Sequence, residues 1–274
     1  MRQNSGTFLS RFFRIMKTGA HGCAVMARRL FLFLIGGNGM DSNKGISKLN
    51  GLENDRFQEG LLKYPDGFTL VDDILQSLSH GFLGEGHDEN RPFLAFYAQA
   101  CADLQLAVLS TLRQHDVQSC LMLRHALESV GLAAYATVFK SSADGNEVVA
   151  AFGDKDKVFK WIEAGFPEDS QKLKVLKKKI NDNFAHSNIL TAATRLSEVG
   201  GKLNLHFFDT NSSRLMGSRL YVIAEIGWLA MDLLEKAVKK ANNGITVQSG
   251  MIARLNDYST QIDKVFAELK TAKS

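Results

Sequence analysis

The chain has 274 residues, 45% of them hydrophobic and 23% charged, an ordinary globular composition long enough to bury a substantial core. Its three cysteines, Cys23, Cys101 and Cys120, are widely spaced and form no CxxC pair, which argues against a disulfide framework or a thiolate zinc site. A reduced, cytoplasmic setting is the simpler expectation. The net charge of +4 is uneven: Arg2, Arg11, Arg14, Lys17, Arg28 and Arg29 are the only charges in residues 1–40, so the remainder carries −2. A basic balance therefore gives no general argument for a nucleic-acid partner.

Residues 1–40 read as a basic, disordered or artefactual extension. The run RRLFLFLI at 28–35 is far shorter than the ~20 apolar residues that cross a bilayer, so no stable membrane span is expected. Basic residues before an apolar stretch resemble a secretory signal, but no small-x-small cleavage site follows; an Arg-rich, acid-free start also resembles a transit peptide. The abrupt change at Met40 is equally explained by a later start of translation.

Residues 41–91 read as a loop-rich lead-in with one short helix. Phe68, Val71, Ile74, Leu75 and Leu78 recur at helical spacing, with Thr69 or Asp66 available as a cap. A glycine-containing loop follows over 80–92. Residues 92–274 are expected to form the bundle domain. Pro92 suits a first helical turn, and the chain is almost wholly apolar from there to Gln114. A second apolar helix, capped by Asp116, runs to about Phe139. The short link at 115–116 makes the two an antiparallel, central pair.

Further along, residues 148–152 suit a strand or a helical turn. A short helix is predicted over 155–164, ended by Gly165. Another starts at Pro167 and runs toward Glu198, where Gly200 and Gly201 stop it. Residues 203–208 alternate as one strand without an obvious partner. A long helix extends from Asn211 or Ser212 to about Ala241. In the last helix, 248–270, Met251, Leu255, Tyr258, Ile262, Val265 and Leu269 form a heptad-like stripe. That stripe suits packing on its own bundle or a homodimer seam. The expected fold is mainly α, an antiparallel helical bundle with one short strand element.

Four ionisable residues stand out on these apolar helices. Arg124 and Glu128 share one helix face at i,i+4 spacing. If buried they need partners, either each other or Asp103, since an isolated buried charge costs several kcal/mol. Asp182 and His186 repeat the spacing inside INDNFAHSN, where so many small polar residues weaken a helix. His186 is the natural acid–base group and a nearby carboxylate would orient it. A structural polar network and a functional pocket both fit these pairs.

No metal or other cofactor is expected. Glu128, Asp182 and His186 fall short of the carboxylate-rich di-metal pattern, and His80, His87, Asp88 and Glu89 read as a solvated turn. Gly81, Gly84 and Gly86 do not make a phosphate loop. Lys172, Lys174, Lys177, Lys178 and Lys179 form either a solvated helix face or a track for a phosphate backbone. No aromatic residue is interleaved with them for base stacking.

A helical bundle with a late Asn-Asp-x-x-x-His resembles HEPN-type domains, whose motif is Arg, a polar residue, three or more residues and His. It is also similar to bacterial helical proteins with a related polar-His helix. Asp182 and His186 match the second and last motif positions, while Asn181 occupies the place of the arginine. The resemblance implies metal-independent RNA cleavage, often from a dimer, in a toxin or phage-defence setting. In that reading His186 moves a proton, Asp182 orients it, and Arg124 or Lys178 replaces the missing cation, with Glu128 beside Arg124 and with Lys174, Lys177, Lys178 and Asn181 binding RNA. Loss of the arginine equally implies an inactive relative that serves as an interaction or scaffold module.

Overall fold

A computed structural model describes residues 42–84, 90–139, 155–183, 196–199, 202–205, 208, 213–242 and 244–271. Residues 1–40 and 148–152, the loop residues His87, Asp88 and Glu89, and His186 lie outside the described residues. Contacts divide the chain into Met1–Leu52 and Glu53–Ser274, and the architecture below is that of the second unit.

Nine helices and one β-hairpin are described: α1 Ser42–Lys63, α2 Pro65–Gly81, α3 Arg91–Leu112, α4 Asp116–Ala136, α5 Lys155–Gly165, α6 Pro167–Asn183, β1 Leu196–Val199, β2 Lys202–Leu205, α7 Ser213–Ala241, α8 Met251–Val265 and α9 Ala267–Thr271. The protein is mainly α, with the helices packed on one another. α3 and α4 form the most extensive pair, as their short link predicts. α7 is the hub, touching α2, α3, α4, α6, α8 and α9.

α1 corrects the loop-rich reading of the lead-in at 41–91. Its sequence is polar and contains three glycines, so no strong apolar stripe announces it. Phe57 and Leu61 nevertheless lean on the core, and Gly60 lies against the backbone of Leu112. α2 begins at Pro65, earlier than its apolar periodicity shows, because proline suits the first turn of a helix. Tyr64, at the α1–α2 joint, stacks on Phe266 at 5.7 Å and donates to the Val265 carbonyl. The two helix joints are thereby tied together.

The α3–α4 hairpin is fastened at both ends. At the open end, buried Asn90 caps α3 through Phe93 N and donates to the Ala136 and Phe139 carbonyls. Near the turn, Thr111 and Ser119 hydroxyls meet at 2.7 Å. Asp116 does not cap α4: His115 is the N-cap residue, and Asp116 is buried in the first turn, 3.9 Å from Arg219 of α7. By length and composition α3 could cross a membrane, yet half of that stretch is buried within the bundle.

β1 and β2 pair antiparallel, Leu196 opposite Leu205 and Val199 opposite Lys202. The single helix predicted from Pro167 toward Glu198 is corrected: α6 is described to Asn183, and 196–199 is strand β1; Gly200 and Gly201 lie outside the described residues. The terminal helix breaks at Phe266, giving α8 and α9. Its predicted stripe turns inward: Met251, Leu255 and Ile262 are buried, and Tyr258, Val265 and Leu269 pack against the core of their own chain. The centre is apolar, built on residues such as Phe82, Phe93, Leu104, Leu123, Met216 and Ile223. Full burial of each such side chain contributes ~1.5–3 kcal/mol.

Candidate functional site

The structure brings together part of the predicted set. Arg124 and Glu128, one turn apart on α4, meet Lys177 of α6. Glu128 Oε1 lies 3.6 Å from Arg124 Nε and 3.3 Å from Lys177 Nζ. The carboxylate is well shielded, its side chain 13% exposed, while the two cations reach solvent. Lys177 Nζ also sits 5.2 Å from the centre of the Phe159 ring of α5. One acidic group thus joins two helices through a cation from each. Asp103, the other partner considered for this pair, instead takes His125.

Asn181 follows Lys177 by one turn. It is half-buried, and its Oδ1 receives no hydrogen bond among the described residues. Lys174 pairs with Glu163 of α5 at 2.7 Å on the exposed surface, and Lys178 is exposed. Asp182 is placed by its backbone alone, in the last turn of α6.

The lysine run is largely exposed and approaches carboxylates: Lys172 with Asp169 at 4.0 Å, Lys174 with Glu163, Lys177 with Glu128, and Lys179 with Glu225 at 3.8 Å. Three also lie over aromatic rings, Lys172 over Trp228 at 4.7 Å, Lys177 over Phe159 and Lys179 over Tyr221 at 5.0 Å. Aromatic residues absent from the run itself are supplied by α5 and α7. Such ammonium–ring contacts are worth ~0.5–1 kcal/mol at exposed sites.

Between α6 and α7 these contacts frame a half-open groove of about 350 Å³. Val175, Leu176 and Leu229 give it an apolar lining, and Trp228 forms part of its wall. Gln171, Lys172, Lys179 and Glu225 complete it. The Trp228 ring is fixed by its Nε1, which donates to the Leu255 carbonyl of α8 at 2.9 Å. Glu225 accepts the Tyr221 hydroxyl, and burial together with this carboxylate pushes the phenol's pKa up.

Sequence reasoning missed this groove, although a signal existed. Lys172 and Lys179 are seven residues apart, as are Tyr221 and Trp228, so each pair lies on one helix face. Nothing along the chain told that the two faces meet. Among the described residues no group of three His, Cys, Asp or Glu side chains comes together as a metal site. No protein-family model, curated protein or solved structure matches the chain. Its side-chain arrangement must therefore carry the functional reading.

Proposed function

We propose that the protein is a non-catalytic helical interaction module. The observation that carries this reading is the Arg124–Glu128–Lys177 cluster. Its carboxylate is shielded between cations of α4 and α6, which is the geometry of an inter-helix fastening. A phosphate-binding Arg124 would need its guanidinium turned toward a ligand, whereas Glu128 already draws it back along its own helix. Asn181, at the position where HEPN-like motifs carry arginine, supports the same reading. So does the partnering of the lysine run, since a cation already paired with a carboxylate gains less from a phosphate.

The test is RNA cleavage by the purified full chain and by His186→Ala, on single-stranded and hairpin RNA without added metal. The expected result is the same lack of cleavage from both. Cleavage by the wild type that disappears in a normally folded His186→Ala protein would overturn the proposal and establish the ribonuclease alternative.

A further inference from the structure

We infer that the α6–α7 groove is a docking site for a partner-protein segment with an apolar anchor flanked by acidic residues. This rests on the interaction-module reading but draws on different residues. Lys172 pairs with Trp228 and Lys179 with Tyr221, so residue numbers rise on α6 as they fall on α7. The helices are antiparallel here, and Lys172 and Lys179 are spaced two turns, about 10 Å, along the axis of α6. Between them lie the apolar walls Val175, Leu176 and Leu229. Val175 is 54% exposed, a β-branched apolar side chain held toward solvent on an otherwise lysine-rich helix.

Charge complementarity selects the occupant. The two lysines lie over apolar and aromatic surface and keep ammoniums accessible, with side chains 44% and 39% exposed. Lys172 is only loosely held by its carboxylate neighbour at 4.0 Å, because both Asp169 oxygens lie 3.1 Å from Lys236. An incoming carboxylate can therefore take Lys172 without breaking a short ion pair. An apolar side chain entering between the lysines would displace water from the exposed Val175, and a second acidic residue would reach Lys179. On a helical partner those acids are seven residues apart; on an extended one, where alternate side chains share a face, they are two or four apart. Helix-in-groove and strand-like docking both use this logic of a pocketed anchor with charged flanks.

A nucleic acid fits less well. The ring faces on which bases would stack are occupied by the lysine ammoniums.

The experiment is selection of a displayed library of random short peptides on the purified full chain, with counter-selection on Val175→Asp. Both Val175 and Lys172 are exposed, and unchanged melting of Val175→Asp and Lys172→Glu confirms that each variant is folded. Recovered peptides should carry Asp or Glu on both sides of an apolar residue. In fluorescence anisotropy their affinity should fall at least about tenfold on Lys172→Glu, the scale of a single important interface contact. Exchanging their acids for lysine should weaken binding similarly. The inference is overturned if selection enriches nothing over the Val175→Asp counter-screen. It is equally overturned if enriched peptides lack the acidic–apolar–acidic pattern or ignore Lys172→Glu, or if an oligouridylate binds tighter and displaces them. Failure here with no RNA cleavage removes the groove and leaves the interaction module; peptide binding alongside His186-dependent cleavage removes the non-catalytic reading and leaves the groove.

Discussion

His125 Nδ1 on α4 lies 2.8 Å from Asp103 Oδ2 on α3, so a half-exposed imidazole faces a carboxylate only 3% exposed. The other oxygen, Oδ1, accepts the Gln99 amide at 3.0 Å. Oδ2 receives no hydrogen bond among the described residues, so the His125 contact is an ion-pair approach and not a hydrogen bond. His125→Ala would strip this buried carboxylate of an ion-pair partner, at a cost of ~1–2 kcal/mol, between the exposed and the fully buried ranges. Adding Asp103→Asn to His125→Ala should restore part of the loss, because a neutral amide is cheaper to bury than a charge. Denaturant melts of both single variants and the double variant measure this coupling. Strict additivity would mean that the contact contributes nothing.

Glu128→Gln removes the charge that Arg124 and Lys177 share. The expected loss is ~1–2 kcal/mol, above the range of exposed ion pairs because the carboxylate is shielded, and below that of a fully buried pair because both cations reach water. For a domain of this size that lowers Tm by roughly 2–8 °C. Lys174→Gln, which breaks an exposed pair with Glu163, should move Tm by less than about 1 °C on the same argument.

Two glycines of α1 make opposite predictions. A Cβ at Gly60 would come 2.5 Å from the Leu112 carbonyl oxygen and 3.0 Å from its Cα. Backbone cannot swing aside, so Gly60→Ala should destabilise by ~1–3 kcal/mol. At Gly51 nothing lies within 4 Å, and alanine there should stabilise by up to ~1 kcal/mol through helix propensity. Thermal melts of the two variants, compared with wild type, should shift in opposite directions.

Burial pushes the thiols of Cys101 and Cys120 up to about 11. At pH 8 only about one thiol in a thousand is then ionised, against roughly a quarter for a free cysteine. In a Cys23→Ser background, an aromatic disulfide reagent should label neither native thiol within minutes and both at once in guanidinium. Rapid native labelling at either position would show that its helix opens readily.

The long apolar helices were legible because Leu, Val and Ala crowd their faces. The α3–α4 pairing followed from its three-residue link. α1 was hidden by glycine and polar residues whose contribution lies in close backbone approach. The pairing of β1 with β2 was missed because Gly200 and Gly201 were read as a helix stop, although in sequence a Gly-Gly pair is equally a turn signal. Arg124 and Glu128 were found together by i,i+4 spacing, but their third member, Lys177, is 49 positions beyond Glu128 and reaches it only through α6 packing. His125 drew no attention beside Arg124, since its partner lies on the preceding helix. The groove escaped for the same reason: cation and aromatic ring come from segments separated by the whole hairpin.

The chain has two tryptophans, and they occupy unlike places. Trp161 sits in an aromatic cluster with Tyr135 and Phe166, away from the groove lining, while Trp228 stands in the groove wall beneath the Lys172 ammonium. Replacing Trp161 with phenylalanine would leave a single tryptophan, in the groove wall. The protein thus holds its own optical gauge: anything that lifts Lys172 or excludes water from the groove shifts the emission of one indole, with no label attached.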